Sequence, residues 1–142
     1  MCDGWSVHSI SYNMHTQHVF ACGLETGQVC VYDLRKGQKS STLPRSVYRP
    51  HRETVWGLEY CPNETTLNDD IDTSSLLLTS SDDKYSCLLD TAEFNWKEAN
   101  GGILWRSGNT HTDFVRDVTW ERSGAAFYTI AWDNKCVEHT LS

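Results

Sequence analysis

The chain has 142 residues, six Trp, six Tyr and four Phe, and a formal net charge of −7. The acidic balance speaks against a nucleic-acid partner, whose phosphates need a basic face, and leaves room for a basic protein partner attracted by charge. No apolar run approaches the roughly 20 residues of a membrane helix, and Met1-Cys2-Asp3-Gly4-Trp5 has neither the basic nor the apolar region of a signal peptide.

In chain order, three stretches align on one another. The first has Val7, Ile10 and Tyr12, then Phe20, a turn at Glu25-Thr26-Gly27, and Val29 to Asp33. The second has Val55, Leu58 and Tyr60, then Leu77, a turn at Asp82-Asp83-Lys84, and Ser86 to Asp90. The third has Val115, Val118 and Trp120, then Phe127, a turn at Trp132-Asp133-Asn134, and Cys136 to Thr140. Self-similarity of this kind predicts stacked supersecondary units. Short strands joined by tight polar turns make the class all-β, and a unit of about 40–45 residues is a β-propeller blade.

The pattern predicts innermost strands at 6–12, 54–60 and 114–120, second strands at 18–23, 75–80 and 125–130, and third strands at 28–33, 85–90 and 135–141. Outer strands are expected near 38–43 and 103–107, where polar residues suit an edge. The blades then divide as 1–48, 49–108 and 109–142, the last without its fourth strand. Three units are fewer than the roughly 4–8 of a closed ring, so the expectation is a set of C-terminal blades from a longer propeller. Residues 91–99 hold helix formers without a helical period and are expected to be a loop.

Two insertions enlarge the second unit. Residues 62–73 carry Glu64, Asp69, Asp70 and Asp72 with little apolar content; a mobile acidic loop is expected there, with Asp69, Asp70 and Asp72 as candidates to receive a basic tail. Residues 91–102 carry Phe94 and Trp96, which either pack on the blade or make a protein contact.

The cysteines, Cys2, Cys22, Cys30, Cys61, Cys87 and Cys136, form no CxxC pair; Cys22, Cys30 and Cys87 sit inside strand patterns, and the set reads as reduced, structural thiols of a cytoplasmic or nuclear protein. No metal-binding spacing is present, and no cofactor is expected, since Walker A, G-x-G-x-x-G, G-x-S-x-G and H-E-x-x-H are all absent. His51 and His111 precede the second and third inner strands, and Asp83 and Asp133 sit in the matching turns. WD-repeat blades join such a His to the turn Asp, with a Ser or Thr two residues before it, here Ser81. A charge-assisted hydrogen bond of this type braces the blade and accounts for the pair without catalysis. In the third unit Ala131 and His139 replace the remaining partners, and the first unit has Thr26 and no matching His. Trp132, just before the turn Asp, faces the same end as the His loops, and Phe114, Arg116 and Trp56 begin their strands nearby. These four residues form the candidate partner-binding patch, because exposed Trp is enriched in binding hot spots.

The run His111-Thr112-Asp113-Phe114-Val115-Arg116-Asp117-Val118-Thr119-Trp120, with Ala131-Trp132-Asp133-Asn134 and Val137-Glu138-His139, resembles the last blade of the methylosome WD-repeat subunits. Residues 23–33 resemble a fifth blade of that family and 80–90 a sixth, while the two insertions depart from it. The resemblance implies a seven-bladed propeller without catalytic activity. It also implies a protein arginine methyltransferase of type II as partner and basic substrates, histone tails and Sm proteins, presented for symmetric dimethylation. The competing readings are other WD-repeat adaptors: a nucleoporin-like protein, a peroxisomal import receptor or a ubiquitin-ligase substrate receptor.

Overall fold

A computed structural model describes residues 4–36, 43–63, 66–67, 71–92 and 99–141. Strands β1 (Val7–Tyr12), β2 (Val19–Leu24), β3 (Val29–Asp33) and β4 (Ser46–Tyr48) form one antiparallel sheet in sequential order. The chain continues through β5 (Val55–Tyr60), β6 (Thr66–Leu67), β7 (Ile71–Asp72), β8 (Leu76–Ser81), β9 (Ser86–Asp90) and β10 (Ile103–Arg106). Here β5, β8, β9 and β10 make the second sheet, and β6–β7 is a separate two-stranded ribbon. Strands β11 (Val115–Trp120), β12 (Ala126–Ala131) and β13 (Cys136–Thr140) make the third. The fold is all-β, with short 3-10 turns at Leu34–Lys36, Thr73–Ser75 and Ala99–Gly102.

The sheets stack face to face, which the second sheet makes plain. Every residue of β8 is buried, and its side chains alternate between two cores. Leu77 joins Val19, Ala21, Val31, Val55 and Tyr60 between the first and second sheets. Leu76 and Leu78 join Val118, Trp120 and Phe127 between the second and third. Strand β9 divides likewise, Leu89 to the first core and Leu88 to the second. A continuous apolar run is therefore what a strand covered on both faces requires.

Each inner strand leaves its ladder once, at the same place. The register shifts between Val7 and Ser9, between Val55 and Gly57, and between Val115 and Asp117. These are β-bulges, which bend a strand and re-aim one side chain. The ejected residues are His8, Trp56 and Arg116.

The turns at the same end also repeat. Glu25, Asp82 and Trp132 each donate an amide to the strand start alongside, at Ser6 O (3.0 Å), Thr54 O (3.3 Å) and Phe114 O (3.0 Å). Two residues further on, Gly27, Lys84 and Asn134 adopt φ of 86°, 74° and 65°. Only the first unit uses the residue to which that conformation costs nothing.

The outer strand of the first sheet falls at Ser46–Tyr48, not near 38–43, of which residues 38–42 lie outside the described residues. The short strand succeeds because Ser46 and Tyr48 point into the core while Val47 faces out. The acidic insertion at 62–73, expected as a mobile loop, carries the short β6–β7 ribbon and Asp72, which caps the following 3-10 turn by accepting from Ser74 N at 2.9 Å. Asp69, Asp70, Phe94 and Trp96 lie outside the described residues.

A Cβ on Gly27 would run into the backbone carbonyl of His51, and the φ is left-handed. Gly27→Ala is expected to cost about 2–3 kcal/mol in urea unfolding, whereas Lys84→Gly, which relieves the same φ where Cβ is already present, should be neutral or stabilising by up to about 1 kcal/mol.

Candidate functional site

The end of the stack that carries the β2–β3, β8–β9 and β12–β13 turns has two built features. One is a brace that recurs in the second and third sheets. His51 Nδ1 lies 2.9 Å from Asp83 Oδ2, and its Nε2 lies 2.7 Å from Thr79 Oγ1. His111 Nδ1 lies 3.0 Å from Asp133 Oδ2, and its Nε2 lies 2.7 Å from Thr129 Oγ1. An ionised carboxylate only accepts, so Nδ1 carries the proton in both rings. Asp83 also accepts from Arg52 N (3.2 Å) and Tyr85 N (3.0 Å), and Asp133 from Thr112 N and Lys135 N (3.0 Å each). The strand-preceding loop, the second strand and the turn are thereby tied at one point. Burial works to raise the Asp83 carboxyl, but the His51 hydrogen bond and charge and the two amides outweigh it, and the group titrates below its ordinary value.

The hydroxyl that meets each His is thus Thr79 or Thr129, four residues before the turn Asp, and not the residue two before it. Ser81 serves the turn instead: its Oγ donates to Glu53 O (3.0 Å) and accepts from Asp83 N (3.2 Å). Thr79 and Thr129 were missed, although a Thr at the same offset in both units is a readable signal. In the third sheet the network runs one residue further, since Thr129 Oγ1 also lies 3.0 Å from His139 Nε2. The His139 ring stacks on Phe127 (4.9 Å between centroids) and meets the edge of Trp105 (5.1 Å). By register it occupies the place of Leu89 in the second sheet, opposite Phe127 as Leu89 is opposite Leu77.

The other feature is a column of stacked side chains. The three bulged residues meet across the sheets: His8 lies against Trp56 at 4.6 Å, and the Arg116 guanidinium sits 4.6 Å from the Trp56 ring. The opposite face of the cluster is closed by Trp132, 4.0 Å from the same guanidinium, with Phe114 at 5.4 Å from both. Cation–π contacts of this kind contribute about 0.5–2 kcal/mol each. Asp82 Oδ1 stands 3.4 Å from Arg116 Nε, an ion pair without hydrogen-bond geometry. The structure therefore brings Trp56, Phe114, Arg116 and Trp132 into one cluster, and adds His8 and Asp82 to it. Trp132 remains 59% exposed. A large indole held in place from behind and open in front is the geometry of a protein-contact anchor.

Among the described residues no three His, Cys, Asp or Glu side chains gather as a metal site, and no helix is long and apolar enough to cross a membrane. Of the acidic loop candidates, only Asp72 is placed, and its carboxylate is engaged as a cap.

Removing the ring in His51→Ala leaves Asp83 and Thr79 buried without their partner, and a loss of about 2–4 kcal/mol in chemical unfolding is expected. Burial, and then the charge of His111, hold the His139 imidazole below its ordinary value. A native value below the unfolded one, about 6.5, means the unfolded chain binds the proton more readily, so stability falls as pH drops from about 6.5 through the native value. His139→Leu, which copies the second sheet, should flatten that part of the stability–pH curve.

No family model matches the chain. It is 25% identical over 134 residues to the methylosome protein WDR77 of Xenopus laevis, a match covering 94% of this chain and 33% of the relative. It is 26% identical over 109 residues to the histone acetyltransferase type B subunit 2 of Debaryomyces hansenii, covering 77% of this chain and 23% of that protein. The chain spans a third or less of the length of these relatives. Three stacked antiparallel sheets and the repeated His–Thr–Asp brace give an all-β fold consistent with part of a WD-repeat β-propeller, and the chain is similar along nearly its whole length to the methylosome protein WDR77.

Proposed function

We propose that the chain is a non-catalytic adaptor of the methylosome, holding a type II protein arginine methyltransferase and helping to present histone tails and Sm proteins for symmetric arginine dimethylation. The observation that carries this reading is the WDR77 similarity over 94% of the chain, which takes in the last-blade run containing Phe114 and Arg116. The turn face supports it. Trp132 offers an open indole, Asp82 a neighbouring carboxylate, and the net charge of −7 draws basic segments toward the molecule. The adaptor works in the cytoplasm and nucleus, where thiols remain reduced. Its contribution is binding and orientation; the methyl donor and the transfer step belong to the methyltransferase.

A second reading follows from the similarity to the histone acetyltransferase type B subunit 2. The same face would then serve a different histone-modifying assembly.

Affinity capture of the tagged chain from its own cells, with mass spectrometry, tests both. Recovery of the arginine methyltransferase, and a rise in its activity on histone substrate when the chain is added, is the expected result. Trp132→Ala should lower recovery about tenfold while the variant stays folded, its melting temperature falling by only the few degrees that the lost contact with Arg116 accounts for. Recovery of an acetyltransferase alone would establish the second reading, and wild-type recovery by the Trp132 variant would remove the face from either.

A further inference from the structure

The second sheet carries a cleft of about 320 Å³ that the adaptor reading does not use, lined among the described residues by Arg52, Asp83, Tyr85 and Arg106. The brace builds one side of it. Asp83 fixes the backbone of Arg52 and of Tyr85 by accepting both amides, so a single carboxylate sets the origin of two side chains. Strand β10 supplies the other side. Arg106 donates from one terminal nitrogen to Pro50 O at 2.5 Å, and its guanidinium lies 5.7 Å from the Tyr85 ring.

The acceptors of the cleft are already engaged. Asp83 Oδ1 receives His51 Nδ1 and Tyr85 N, and Oδ2 receives His51 Nδ1 and Arg52 N. The Pro50 carbonyl receives Arg106. What remains at the cleft is the Arg52 guanidinium, the other nitrogens of Arg106 and the Tyr85 hydroxyl. Neither arginine forms an ion pair among the described residues, although acidic residues outnumber basic ones 19 to 12 in the chain. A ligand that engages these groups brings oxygen acceptors and negative charge.

The fold does not demand this set. The third sheet repeats the His, the Thr, the Asp and both backbone amides, yet places Thr112 and Lys135 where the second has Arg52 and Tyr85, and forms no fourth strand among the described residues to match Arg106. The donors belong to the second sheet alone, which separates them from the bracing role.

We propose that this cleft binds a phosphorylated side chain of a protein partner. Two arginines and a tyrosine line one cleft, a donor set that suits the three terminal oxygens of a phosphoryl group better than the two of a carboxylate. A long acidic segment would be repelled by the net charge of −7. One compact dianion meets both guanidinium groups, and the Asp83 carboxylate that also lines the cleft is already hydrogen-bonded to His51, Arg52 and Tyr85.

The test offers the full chain two fluorescent peptide pools, degenerate and neutral at every flanking position, one centred on phosphoserine and one on serine, in about 150 mM salt. Retention of the phosphoserine pool about tenfold above the serine pool is expected. Arg52→Ala and Arg106→Gln should each lower it about five- to tenfold, and Tyr85→Phe about two- to threefold. The exposed Arg52 side chain makes Arg52→Ala the variant that keeps the wild-type melting temperature, so a loss there is a loss of binding. Equal retention of the two pools overturns the proposal, as does phosphoserine binding that survives Arg52→Ala. Competition by inorganic phosphate with no preference between the pools would make the cleft a small-anion site and overturn it equally. The capture of a methyltransferase is read on Trp132, at a separate place, so either result leaves the other standing.

Discussion

Among the described residues, the inner strand of each sheet has one backbone edge with no strand beside it, and the way that edge is satisfied sets the stack. The amide of Tyr60 points away from β8 and is taken by Ser11 Oγ of the preceding sheet at 3.1 Å. The amide of Trp120, the equivalent residue one sheet later, is taken by Glu59 Oε2 at 2.9 Å, and its indole Nε1 donates to Glu59 O at 3.0 Å. Ser9 Oγ adds a bond to Val55 O at 2.9 Å. An amide shielded from water and left without a partner costs up to about 1–3 kcal/mol, so these bonds favour one register between the sheets. Gly57 permits the approach, since a Cβ there would lie 3.1 Å from Asp117 Cα.

That register is what turns three bulges into one column. A bulge alone only ejects a residue; because the sheets are locked at equivalent positions, the ejected His8, Trp56 and Arg116 fall beside one another and stack. The braces beneath them do a different task. Both nitrogens of His51 and of His111 are engaged, and Asp83 is bonded on both oxygens, so these pairs hold turns in place and offer no open atom to a substrate. Rigidity comes from the buried polar groups and recognition from the exposed aromatic ones, on the same end of the molecule.

Much of this could be read from the residues. The three aligned units gave the strand order, and the inner, second and third strands lie within a residue or so of their expected limits, because buried runs, aromatic positions and polar turns recur at fixed offsets. The bulges were written there too. Val7 and Ile10, Val55 and Leu58, and Val115 and Val118 are three apart, whereas one face of a regular strand repeats every two; an extra residue between them is what restores the phase. The short outer strand at Ser46–Tyr48 was harder, since three residues carry too little periodicity to stand out. The β6–β7 ribbon was hidden by its charges: composition marked a loop, while its backbone pairs through Thr66 with Asp72 and Leu67 with Ile71 regardless of side chain. Trp56, Phe114, Arg116 and Trp132 could be grouped from their places in the units, whereas His8 and Asp82 join them through distances between sheets that no single unit contains.

The first sheet has no His–Asp brace of its own. Its turn is held from outside, by the loop that carries His51: the His51 amide donates to Gly27 O at 3.3 Å, and Gly27 has no Cβ because the His51 carbonyl fills that space. His51 is thus a shared keystone, bridging its own sheet through its ring and its neighbour through its backbone. A fluctuation that withdraws this loop loosens two turns together.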